Sequence, residues 1–259
     1  MLLLAACVLS ATHLHGQSVK AAFNAFRDSV LNQQLVLRNF SGETTVHAAW
    51  TGAQFELDQP KWRTFGVLQT RSVKMKGDEV QLQCERHVLA RNGSDSLEPY
   101  SVVDSVYITV DLNGGDAGQL LPQLRGAIFY SSTADALAAI PKPLQSLVPG
   151  HTQANPAVGW PSCDCDKGAA CATRPIVVYT EAPAYSEEGA KRKINGSVVT
   201  AFIVDEAGHA HDVWITQPLG YGMDEKAAEV ASTYRFQPAT CHGKAVSVPL
   251  TTEINFQIF

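Results

Sequence analysis

His209-Ala210-His211-Asp212 places two imidazoles and a carboxylate within four residues. Side chains two apart on a strand share a face, so both rings could reach one ion. Zinc takes at least three protein ligands, and the sequence nominates no third beside this pair. His209 also follows Glu206-Ala207-Gly208, turn residues where a solvated side chain is ordinary. No metal is expected. Cys163-x-Cys165 with Cys171 is a second candidate cluster. A zinc knuckle needs a further Cys or His pair at matching spacing, which the stretch lacks. In an exported chain such cysteines meet an oxidising compartment and form disulfides. Cys241 is the natural distant partner. Cys241 is expected to bond to one of Cys163, Cys165 or Cys171, with Cys171 the first choice because it lies nearest the start of the last segment. Cys84 shares a strand face with Val80 and Leu82 and reads as a buried small apolar residue. Asp104, Asp111 and Asp116 are carboxylates near strand ends, where solvation is usual. There is no Gly-x-Ser-x-Gly, P-loop, dinucleotide fingerprint or His-Glu-x-x-His motif. No catalytic residue and no cofactor are nominated.

The elements that would position a site are clearest at the end of the chain. From Val246 to Phe259, apolar Val246, Val248, Leu250, Ile254, Phe256 and Ile258 alternate with polar Ser247, Thr251, Glu253, Asn255 and Gln257. That alternation predicts a β-strand with one dry and one wet face. Pro249 has no N–H to give to a ladder, which marks an edge strand. An open edge can accept an extended peptide as a further strand. Pro249 is expected with its backbone toward the open side. By parity, Ser247, Thr251, Glu253 and Asn255 share that orientation and are the expected partner-binding residues. Val248, Leu250, Ile254 and Phe256 are expected on the core face.

Upstream, Ser186 can cap a short helix. Glu187 and Glu188 start it, and Lys191, Arg192 and Lys193 end it, as the helix dipole favours. Gly196 to Val204 reads as a central strand, Val213 and Ile215 mark its hairpin partner, and Asp224 can cap a second helix with the stripe Ala227, Val230, Ala231 and Tyr234. The expectation is a three-stranded antiparallel sheet with two helices on one face. Several of these features occur together in order. Pro183-Ala184-Tyr185 precedes a helix, then come Ile194-Asn195-Gly196-Ser197-Val198 and Asp205-Glu206-Ala207-Gly208. Tyr234-Arg235-Phe236-Gln237-Pro238-Ala239, Gly243-Lys244 and the alternating strand follow. Over about Arg174 to Phe259 this resembles the TonB C-terminal domain family. Tyr185-Ser186 stands where the family usually has Tyr-Pro. The resemblance implies a periplasmic energy-transducer domain that captures a segment of a TonB-dependent outer-membrane transporter by strand addition. Inner-membrane motor proteins would be further partners if an upstream anchor exists. Full-length TonB also carries a membrane anchor and a proline-rich spacer, neither of which is evident here. The alternatives are a structural role, with the same edge pairing in a homodimer, and an exported enzyme in the unread first module.

That first module, residues 17–148, is expected to be a separate α+β unit. Val19, Ala22, Phe23, Phe26 and Val30 form one helical face. Thr44–Trp50, Gly66–Met75, Glu79–Leu89 and Ser101–Val110 are rich in β-branched and aromatic residues, with a turn at Lys76-Gly77-Asp78. Asp116 and Ser132 can cap two helices. Residues 149–173 read as a Pro/Gly/Cys linker before a final domain of 174–259. Residues 1–16 are uncharged and apolar, like the core of a secretory signal, and too short for the ~20 residues that span a bilayer. They predict export to the periplasm. Leu4-Ala5-Ala6-Cys7 also matches a lipoprotein box, so a membrane tether is the alternative. A net charge of −5 over 259 residues, with no basic cluster, argues against nucleic acid as a partner.

Overall fold

The computed structural model describes residues 17–91, 97–145, 147 and 172–258. The signal-like segment 1–16 with Cys7, most of the expected linker, and Cys163, Cys165 and Cys171 lie outside the described residues.

The first part of the chain forms a curled sheet with helices against it. Helix α1 spans 17–30, and its predicted stripe enters the core, with Phe26 and Val30 buried. The strands are β1 (Gln34–Leu35), β2 (Thr45–Trp50), β3 (Phe55–Leu57), β4 (Arg63–Thr64), β5 (Gly66–Lys76), β6 (Glu79–Arg91) and β7 (Leu97–Asp111). All but β4 join one sheet in the order β1-β5-β6-β7-β2-β3. Its pairings are antiparallel except β2 with β7. Gly77 turns β5 into β6 at φ +61°, a conformation that suits glycine. Helix α2 (Ala117–Ile128) begins where the Asp116 carboxylate accepts the Gly118 N–H. Helix α3 (Thr133–Ala139) begins where the Ser132 hydroxyl accepts the Asp135 N–H. Both caps fall where the sequence placed them. A 3-10 turn, Lys142–Leu144, follows.

The last part comprises β8 (Ala172–Thr173), β9 (Ile176–Tyr179), α4 (Glu187–Lys191), β10 (Gly196–Val204), β11 (Ala210–Gln217), α5 (Met223–Thr233), β12 (Arg235–Gln237), β13 (Ala239–Cys241), β14 (Lys244–Val246) and β15 (Val248–Phe256). Ser186 caps α4 by accepting the Gly189 N–H. The stripe Ala227, Val230, Ala231 and Tyr234 of α5 packs on Val198, Phe202, Ile215, Ile254 and Phe256, with Leu250 at the margin. The predicted core face of the last strand is therefore the observed one. Gly208 sits at φ +83° where any Cβ would come within 1.9 Å of the Phe236 carbonyl oxygen. That close approach lets the Phe236 N–H donate to the Gly208 carbonyl at 2.9 Å.

Four expectations need correction. The C-terminal sheet has four strands, in the order β15-β10-β11-β4, not three. Its fourth strand comes from the first part of the chain and lies parallel to β11, pairing Arg63 with Trp214 and Thr64 with Ile215. The two parts are thus joined through a shared sheet rather than separate. Second, the face of the last strand read as wet is partly dry, with Pro249 buried and Thr251 half-buried. Ala201 and Trp214 are buried with Val36, Phe40, Phe65, Ile140 and Leu144, so the first part covers the face opposite the two helices. Third, Asp224 does not cap α5. Gly222, at φ 73°, holds the cap position, and the Asp224 carboxylate accepts the N–H groups of Leu219 at 2.7 Å and Gly220 at 3.0 Å. Fourth, no disulfide between two cysteines is found among the described residues, and Cys171 lies outside them. Cys241 is not a free thiol. Cys84 is free and buried, and burial pushes its thiol up to about 11.

Candidate functional site

Strand β15 is built by local chemistry on both sides. A tight hairpin precedes it, with His242 at φ 49° and Gly243 at φ 78° between the paired residues Cys241 and Lys244. Two successive positive φ values give the turn whose twist matches its flanking strands. Then β15 runs antiparallel to β10 over nine paired positions, from Val248 opposite Val204 to Phe256 opposite Gly196, with no shift of register. Phe256, 1% exposed, anchors the end of the strand against the Tyr185 ring, edge to face at 5.6 Å. Among the described residues nothing pairs with the outer edge of β15.

The predicted partner-binding residues fall on or beside this edge. Thr251 lies opposite Ala201, Glu253 opposite Val199 and Asn255 opposite Ser197. Glu253 and Asn255 are exposed. The Ser197 hydroxyl donates to the Asn255 side-chain oxygen at 2.7 Å. Thr251 is half-buried and its hydroxyl is sealed without a partner. Ser247 precedes the strand, and its hydroxyl donates to the Val204 carbonyl at 3.3 Å. Pro249, opposite Ile203, is buried. The 3-10 turn Lys142–Leu144 lies against this strand.

The other end of the sheet is closed. β4 occupies the free edge of β11, and the Thr64 hydroxyl donates to the Ile215 carbonyl at 3.0 Å inside the core. An extra residue in β11 makes a bulge where Ala201 pairs with Trp214 and Ile203 with His211. Asp212 sits in that bulge at φ 50°, and its carboxylate takes the Arg63 guanidinium at 3.1 Å. Bulges re-aim side chains in this way. The histidines nominated for chemistry are accounted for locally. His211 Nδ1 lies 3.2 Å from Asp212, and His209 Nδ1 lies 3.5 Å from Asp205. Among the described residues no group of three His, Cys, Asp or Glu side chains converges on a metal position.

Behind β4 lies a feature that the sequence did not announce. The Gly42 N–H donates to the Trp62 carbonyl and the Thr64 N–H to the Phe40 carbonyl, both at 3.0 Å, so residues 40–42 hook onto 62–64. Arg86 fastens that hook from inside: its buried guanidinium donates to the carbonyls of Ser41, Gly42 and Glu43. Burial pulls Arg86 down to about 10. Trp62 stacks on Gly42, where a Cβ would come within 2.1 Å of its ring. Trp62 belongs to the core of the C-terminal sheet, wedged in from the first part of the chain. A cleft of about 180 Å³ opens beside it, between Glu43 and Asp104 of the first part and Asp224 and Glu225 of α5. No local pattern could have found this cleft, because its walls are brought together from positions over a hundred residues apart.

Residues 181–258 match the family described as Gram-negative bacterial TonB protein C-terminal. The last ~80 residues thus carry a TonB C-terminal-like domain. Domains of that family are protein-interaction modules without catalytic activity, typically periplasmic. Among solved structures, the solution NMR structure of the Pseudomonas aeruginosa TonB CTD is 21% identical, with 36% of this chain and 91% of that chain covered and a TM-score of 0.28. That likeness is too slight to bear on the fold. No curated protein matches the chain. No described helix is long and apolar enough to cross a membrane.

Proposed function

We propose that this chain is a periplasmic, TonB-like peptide-binding protein that captures an extended segment of a TonB-dependent outer-membrane transporter on the outer edge of β15. One observation carries the reading: β15 is paired on one side over nine positions and, among the described residues, unpaired on the other. Pro249 fixes the polarity of that edge. Without an N–H it cannot exchange both ladder bonds with Ile203, so that pair belongs to the non-hydrogen-bonded class. Uninterrupted register extends the class to Thr251, Glu253 and Asn255, whose N–H and C=O groups then face outward. A transporter segment would add there through main-chain bonds, which tolerate varied side chains. Among the described residues β11 is covered by β4 at Trp214 and Ile215, whereas β15 has no strand on its outer side.

The test is a pair of proline substitutions on the exposed outward positions, Glu253→Pro and Asn255→Pro, in the full chain. Each deletes an outward N–H and leaves the inner ladder to β10 intact. Binding of a fluorescein-labelled synthetic peptide, copied from the periplasmic N-terminal segment of a transporter of the same cell, is expected to weaken about tenfold or more. Thermal melts by circular dichroism should stay close to the parent. Undiminished binding by both variants overturns strand addition at this edge. A dimer that Glu253→Pro disperses in sedimentation, with no peptide binding by the parent, would favour self-pairing instead.

A further inference from the structure

Strand β9 carries the longest run of exposed large apolar residues among those described. Ile176 is 59% exposed, Val177 56%, Val178 69% and Tyr179 46%. The reason is the strand's position. Among the described residues β9 pairs only with β12, in a two-stranded ribbon apart from the β15 sheet. β12 reaches the core through Phe236, whose N–H donates to the Gly208 carbonyl. β9 lies on the other side of β12, and even Val177, paired with Phe236, is uncovered. Val178 is the extra residue of a bulge against β12 and the most exposed of the four. Two-stranded ribbons are marginal in water, and an apolar strand face needs a layer packed on it.

The ends of the strand say what covers it. Arg174 and Glu181 flank the apolar residues, and both are exposed. Among the described ion pairs none engages either. The Tyr179 hydroxyl donates to one Glu181 oxygen at 2.5 Å and holds that carboxylate beside the strand. Arg235, opposite Tyr179, has its guanidinium on the carbonyls of Ser232, Thr233 and Tyr234. The segment is thus cationic at one end, apolar in the middle and anionic at the other. An anionic membrane surface attracts the cationic end and repels the anionic one. An antiparallel copy of the same segment matches it along its length: apolar residues meet apolar residues, and Arg174 of each copy comes to Glu181 of the other. Under a two-fold axis each such contact occurs twice.

We propose that two copies of this chain associate through β9, the two strands lying antiparallel against each other. Four apolar residues a side is far below the roughly 20–30 of a standard interface, so the pairing is weak and counts where copies are concentrated. This surface is separate from the β15 edge, and the pairing does not depend on what that edge binds.

The experiment is sedimentation equilibrium of the full chain from about 10 µM to about 1 mM. A monomer passing to a dimer that dissolves on dilution is expected, with a dissociation constant on the order of 0.1 mM. Val178→Lys should weaken the pairing about tenfold or more, with the melting temperature of the dilute protein unchanged. Arg174→Glu should weaken it about fivefold or more, since it sets like charges together at both contacts. Adding Glu181→Arg to Arg174→Glu should restore the parent's constant to within about twofold. Glu253→Pro, on the β15 edge, should leave the dimer in place. A chain still monomeric at about 1 mM, a dimer that Val178→Lys leaves intact, a double variant no tighter than Arg174→Glu alone, or a dimer that Glu253→Pro disperses overturns the proposal.

Discussion

Asp224 stands in the first turn of α5, yet its carboxylate serves the loop behind the helix. Its two acceptor bonds to Leu219 and Gly220 hold the entry to α5 against the sheet. Burial nevertheless pushes this acid up to about 6, with Asp104 across the junction adding to the shift. The folded protein therefore keeps a proton that the unfolded chain, with a value near ~3.9, gives up. As pH rises from about 4, the unfolded state loses the proton first, so stability falls until the folded value of about 6 is passed. The contribution is on the order of 2–3 kcal/mol. Asp224→Asn removes it. Urea titrations between about pH 4 and 7.5 should show the parent gaining on the variant as pH drops, and parallel curves would refute the assignment. At this scale the sequence was partly legible. Asp116, Ser132 and Ser186 cap helices because an N-cap bond reaches only two or three residues. Asp224 obeyed the same local rule and escaped it, because Gly222 could take the left-handed cap position and freed the carboxylate to turn back.

β15 was the most legible element, since period-two alternation and one proline fix both its faces and its edge character. Phe256 and Ile254 lie buried under the helices where the alternation placed them. Phe256→Ala should cost about 3–5 kcal/mol, because it deletes a fully buried ring and its edge-on contact with Tyr185. Chemical denaturation would measure this, and a loss below about 1 kcal/mol would mean that the strand end is not packed as described. This variant acts on folding, whereas prolines at Glu253 and Asn255 act on the edge, so the two classes separate stability from recognition. The opposite face was misread for a physical reason. Pro249 and Thr251 look compatible with water, but a neighbour supplied from elsewhere in the chain decides whether water reaches them. β4 was illegible for the same reason. Two residues, Arg63 and Thr64, carry no periodicity, and their partners Trp214 and Ile215 lie some 150 positions away.

Across the whole molecule, the first part of the chain serves the C-terminal sheet in two ways: it covers one face and supplies one strand. Trp214, 1% exposed, measures the first of these. It packs among Phe40 and Phe65, with its ring 5.1 Å from that of Phe40. A fragment beginning at Ala172 would retain Trp214 as its single tryptophan and lose that cover. Its emission is expected to shift to the red, its melting temperature to fall, and the bared apolar face to drive association visible by sedimentation. A monomeric fragment with the blue emission of a buried indole would show that the cover is dispensable. The second contribution has a different consequence. A sheet with two bare edges can pass a strand pairing from copy to copy without limit, which is the geometry of a fibre. With β4 pinned on β11 by the Thr64 hydroxyl and the Arg63–Asp212 pair, the middle of β11 at Trp214 and Ile215 is covered. A strand arriving at β11 would have to displace β4 at Trp214 and Ile215, so β4 obstructs edge-to-edge growth through that side of the sheet.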